Sequence, residues 1–275
     1  MQNLSFLGLK RVLHRYFLLS TVILASGTSP AYGVQLTLNN LTGKLDNGDA
    51  NGVGATMTFN DVASDNGTVI DLIITTLDSY TANNINKNTV VNTNEGQINL
   101  LNNTGTTFEF QLVEKDTTTP FTVSQLNFGL MDIDRQGKEK VILYTSGDYT
   151  VSGSPTPTNL DISTFADRVE FQAKSGSTGE VKNPTDAELL SAEQEKHAVN
   201  FQFNDISEFY MRYEVGSTGG GRNFFFAGDV TFDDTNPVIT SVEVPFEFSP
   251  GLGLLLSGGG LVSIRCLKKR KQLKS

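Results

Sequence analysis

Apolar and polar residues alternate along most of this chain with a period of two. Phe108, Phe110 and Leu112 share one side of 107–112, and Leu126, Phe128 and Leu130 share one side of 123–134. The same pattern, with β-branched and aromatic residues, predicts strands at 34–38, 55–59, 69–77, 98–100, 141–144, 169–173, 199–203, 208–215 and 223–232, with a weaker one at 148–151. The Asn/Thr tract 81–94 and the Pro/Ser/Thr stretch 152–158 predict loops, and the glycine-rich 216–221 reads as a hairpin connection. One helix is predicted over 184–194, where Thr185 caps and Glu188 follows three residues on. Many short strands, one short helix and no repeat of 20–50 residues predict an all-β fold, an antiparallel β-sandwich or jelly roll, over 34–232. A polar, Pro-bearing spacer, 233–243, follows it.

Both ends break the alternation. Residues 248–264 carry no charge, and Arg265, Lys268, Lys269, Arg270, Lys271 and Lys274 then close the run. Seventeen uncharged residues make about 25 Å of helix, and extension to Leu267 with Arg265 snorkelling reaches the ~30 Å of a hydrocarbon core. A transmembrane helix is therefore predicted at 248–267, with the basic tail 268–275 on the cytoplasmic side. At the other end Lys10, Arg11, His14 and Arg15 precede an apolar run, 16–25, and Ala31-Tyr32-Gly33 supplies a small-x-small site. That order predicts a cleaved signal peptide, 1–33, with a cut after Ala31 as the near alternative.

The segment before the apolar run is Val244-Pro245-Phe246-Glu247-Phe248-Ser249-Pro250. This signature, the Gly-rich apolar span and the basic stop together resemble the PEP-CTERM class of bacterial sorting signals, and more closely its cyanobacterial PFE-CTERM variant. Phe-Glu-Phe stands here where the founding pattern has Pro-Glu-Pro. The resemblance is confined to 244–275. It implies a transient membrane anchor recognised by an exosortase-type membrane enzyme, with delivery to the cell envelope or the extracellular polysaccharide. The expected partners are thus that enzyme, membrane lipid and extracellular polysaccharide.

Charge narrows the rest. Of 21 Lys and Arg, three lie in the leader and six in the tail, whereas 29 of 30 acids lie between Val34 and Glu243, so that span carries 12 minus 29, or −17. Such a surface excludes a nucleic-acid partner, which needs cations for phosphate. The single cysteine, Cys266, falls in the tail, so the exported part has no disulfide. His197 is its one histidine and is expected to face solvent or cap, which leaves no zinc or Cys–His site. Phosphate-cradling and nucleophile-elbow motifs are absent.

Two acidic clusters suggest a cation. Asp46–Gly52 spaces oxygens like half an EF-hand loop but places Thr58 where the closing Glu belongs. Asp132 and Asp134 continue the inward side of 123–134, where unpaired carboxylates are costly. Either the strand ends before Asp132, or Arg135, Lys138, Lys140 or a calcium ion meets the pair. No other cofactor is expected. The reading is a non-catalytic exported envelope or matrix protein. The alternatives are a calcium-dependent carbohydrate-binding module, with Tyr80, Tyr144, Tyr149 or Tyr210 as platforms in place of the absent Trp, and a glycoside hydrolase acting through two of its many carboxylates.

Overall fold

Period-two alternation places one face of each strand against a shared apolar layer, and the chain meets this demand with two stacked sheets. The computed structural model describes residues 33–46, 52–92, 94–135, 137–144, 149–153, 158–175, 182–184, 186–217, 220–232 and 238–242. The leader to Tyr32, the sorting signature, the apolar span and the basic stop lie outside these residues. Among the described residues no helix is long and apolar enough to cross a membrane.

Sheet A runs in the order β16 (Val238–Val242), β10 (Tyr149–Gly153), β13 (Val199–Ile206), β8 (Val123–Met131), β15 (Arg222–Ala227), β6 (Glu95–Leu100) and β5 (Thr89–Val91). The short β1 (Val34–Gln35) lies parallel to β8 and shares its edge with β15. Sheet B runs β11 (Leu160–Thr164), β12 (Val169–Ala173), β9 (Glu139–Tyr144), β14 (Glu208–Val215), β7 (Thr104–Glu114), β4 (Thr68–Thr76), β3 (Thr56–Asp65) and β2 (Leu41–Gly43). All other pairings are antiparallel, so the architecture is the all-β sandwich that the alternation predicts. Asn66-Gly67, both at positive φ, close the β3–β4 hairpin as a two-residue turn of the type whose twist suits the flanking strands.

Phenylalanine fills the layer between the sheets. Phe110 of sheet B stacks on Phe209 at 4.9 Å between ring centroids and meets the edges of Phe128 and Phe226 of sheet A at 5.4 and 5.7 Å. Phe209 in turn stacks on Phe203, and Phe201 meets Phe171, so one chain of rings links both sheets along the core. These offset and edge-on contacts add to the burial that drives the packing.

Three expectations change. The helix at 184–194 shrinks to one turn, α1 (Ala192–Glu195), capped reciprocally by Ser191 and Gln194. Upstream, the Asp186 carboxylate accepts the Glu188 N–H, and Ala187 and Leu190 pack on Met131 and Phe225 at the outer face of sheet A. Local side-chain capping and burial of two apolar residues thus override helix propensity there. The tract 81–94 is not all loop: it holds a 3-10 turn (Ile85–Lys87) and β5. Its polar residues work inside the fold, since buried Asn88 donates to the Leu45 carbonyl and accepts from the Tyr80 hydroxyl. Finally, residues 238–242, read as spacer, form β16 on the edge of sheet A.

Candidate functional site

Two connections that carry the chain from one sheet to the other meet at one place. The first leaves β8 at Met131 and enters β9 at Glu139; the second leaves β14 at Val215 and enters β15 at Arg222. The glycine-rich 216–221 is therefore an inter-sheet crossover and not a hairpin connection. The two crossovers touch where the Gly216 N–H donates to the Lys138 carbonyl at 2.7 Å.

Strand β8 ends at Met131, and Asp132 takes a left-handed φ of 67°, so the inward alternation stops before the acidic pair. Both carboxylates are nonetheless buried, together with Glu139. A cation does meet Asp134, but it is Arg222, whose Nη2 stands 2.7 Å from Asp134 Oδ1 while its Nε stands 2.6 Å from Glu139 Oε1. Tyr213 donates to the same Glu139 oxygen at 2.8 Å. The other Glu139 oxygen accepts the N–H groups of Asp134 and Arg135 at 3.2 and 3.3 Å, which satisfies a turn that would otherwise bury bare donors. Burial beside Glu139 pushes the Tyr213 phenol well above its ordinary range. Among the described residues no three His, Cys, Asp or Glu converge in a way that could hold a metal ion. Of the loop 46–52, residues 47–51 lie outside the description.

His197 departs from its expected exposure. It follows α1, as the sequence implies, but its ring is buried between two partners. Nδ1 lies 3.0 Å from the Ile133 carbonyl and Nε2 lies 3.2 Å from the Asn159 side-chain amide. A carbonyl requires a donor and an amide N–H requires an acceptor, so this pair of contacts selects the neutral Nδ1–H tautomer. Burial accordingly holds the imidazole below its ordinary value.

Beside the crossovers, and lined in part by Lys138 and Gly216 from them, a depression of about 380 Å³ opens on the outer face of sheet B, a size common to small-ligand sites. Lys138, Lys140, Gln172, Arg212 and Glu214 line it, and Gly105 opposite Glu214 leaves its floor open. Most of its charges are mutually engaged: Arg212 binds Glu214 at 2.8 Å and Asp78 at 2.7 Å, and Lys140 approaches Glu170 and Glu214 at 3.6 and 3.7 Å.

The four tyrosines expected as platforms divide evenly. Tyr80 and Tyr149 are buried, and burial pushes the Tyr149 phenol to about 12. Tyr144 and Tyr210 are half-buried and stand directly opposite each other on β9 and β14, on the outer face. Tyr210 donates towards Glu208 at 2.9 Å and Glu109 at 3.3 Å. Burial, and then the neighbouring Glu208, raise the Glu109 carboxyl above its ordinary value.

No family model matches this chain, and no curated protein matches it. Among solved structures, the N-terminal domain of the Streptococcus gordonii adhesin Sgo0707 aligns with a TM-score of 0.42 at 12% identity. That alignment covers 68% of this chain and 47% of the other, so this chain spans about half of that structure's length.

Proposed function

We propose that this chain is an exported, non-catalytic β-sandwich protein, sorted by an exosortase-type membrane enzyme and acting in the cell envelope or extracellular matrix. The observation that carries the reading is the order of segments at 244–275: a Pro-bearing signature, a charge-free span that reaches membrane-helix length once Arg265 snorkels, and a basic stop. The span holds the precursor in the membrane, and the stop keeps its end cytoplasmic. Pro245 and Pro250 disfavour helix in the residues before them, which keeps the signature extended for the processing enzyme.

The fold supports this reading at both joints. The first strand begins at Val34, next to the expected cut after Gly33, and β16 ends two residues before Val244. Among the described residues, both sheets are built from strands that lie between these two joints. Replacing Pro245, Phe246 and Glu247 together by Ala tests it. The altered precursor should accumulate in the inner membrane while the natural sequence reaches the envelope; identical distributions would refute the proposal.

A further inference from the structure

The outer face of sheet A has two unlike halves. Over one half, Ala187, Leu190 and Val230 cover Met131 and Phe225. Asn200 seals the border: its amide N–H groups bind Asp229 and the Val230 carbonyl, and its oxygen accepts the Val230 N–H at 2.9 Å. Past that border, strand register sets Thr150, Gln202, Asn127 and Gln35 in one row across β10, β13, β8 and β1. Asn204 and Gln125 form a second row on β13 and β8. Gln202 donates to Asn127 Oδ1 at 3.3 Å, and Gln125 donates to Asn204 Oδ1 at 3.4 Å. Gln35 and Gln202 are exposed and the other four are half-buried. None of the six is charged, in a span that carries −17, as counted above.

We propose that this amide patch binds a strand of neutral polysaccharide, without calcium. The setting rests on the matrix reading above; the patch itself rests on three physical points. Each amide offers two donors and an oxygen with two lone pairs, matching sugar hydroxyls that both donate and accept. Neutral amides give up water at far lower cost than charges do, and the anionic domain repels a polyanion, which leaves a neutral polymer. The six described residues form a patch that is small for a second copy of this chain. Four strands about 4.8 Å apart make a row about 14 Å long, and rows two residues apart lie about 7 Å from each other. Such a patch falls well short of the roughly 800 Å² that each partner buries in a stable protein complex, yet it suits a narrow polymer. Binding per copy is weak, and many copies on one polymer supply the avidity.

The test is affinity electrophoresis of the full-length chain in detergent, through gels containing a neutral β-glucan, a neutral mannan or alginate, a polyuronate. At least one neutral glycan should retard the protein, alginate should not, and EDTA should change nothing. Asn127→Asp and Gln202→Glu, each introducing a charge at constant shape, should weaken retardation at least tenfold with an unchanged melting temperature. Gln172→Glu, in the depression on sheet B, should leave it intact. The proposal fails if neither neutral glycan retards the chain, if retardation survives both patch substitutions, or if Gln172→Glu abolishes it. Concentration-dependent self-association that disappears with the patch substitutions would assign the face to a second copy and overturn it as well. None of these failures alters the processing of the tail, which is read from the mature mass.

Discussion

Arg222 shows how much a single position can reveal. In Arg222-Asn223-Phe224-Phe225-Phe226, alternation puts the guanidinium on the side of Phe224 and Phe226, facing the core. Glu139 shares a side with Val141 and Leu143, and Tyr213 with Met211 and Val215, so these three of the four members of the buried network were legible from parity alone. Their meeting was not, because nothing local says that two distant crossovers pack together. Removing one partner strands a buried charge, so Arg222→Met should cost about 3–5 kcal/mol in urea unfolding. With Asp134 balanced by Arg222, EDTA should leave the melting temperature unchanged; a fall of several degrees would restore calcium to the Asp132–Asp134 turn. His197 sets a pH dependence. Its folded value is depressed, so on acidification the unfolded chain binds the proton first. The stability of the neutral ring is complete above about pH 6.5 and is lost as pH falls from there towards the folded value. Urea titrations between pH 7.5 and 5 should show a steeper loss for the natural chain than for His197→Gln, whose uncharged side chain takes no proton.

At the scale of elements, strands were readable wherever one face is buried and the other is wet, as in β7, β13 and β14. The short β2 and β11 escaped notice because two or three alternating positions are too few to establish a period, and β16 because Pro237 and polar neighbours disguise its β-branched residues. The helix failed for the opposite reason: a sound capping pattern was outweighed by the apolar shelf that Ala187 and Leu190 find on sheet A. Close packing at strand crossings also leaves marks that sequence hides. Gly96 faces Phe226 across β6 and β15, and a Cβ there would lie 2.2 Å from the ring. Gly96→Val should therefore destabilise by at least the 1–3 kcal/mol typical of overpacking, read as a lowered midpoint in thermal or urea melts.

The whole molecule is an anionic sandwich flanked by two segments whose basic and apolar runs are the ground on which export is proposed. Charge runs and apolar length follow from one-dimensional counting. The amide patch depends on register between β13, β8 and β1, strands that lie far apart in the chain. The central claim is export followed by loss of the tail, and the intact mass of the mature protein tests it most directly. The account predicts a chain that begins near Val34 and ends upstream of the apolar span at 248–267. A mature mass equal to 34–275, or one that still includes the leader, would contradict it.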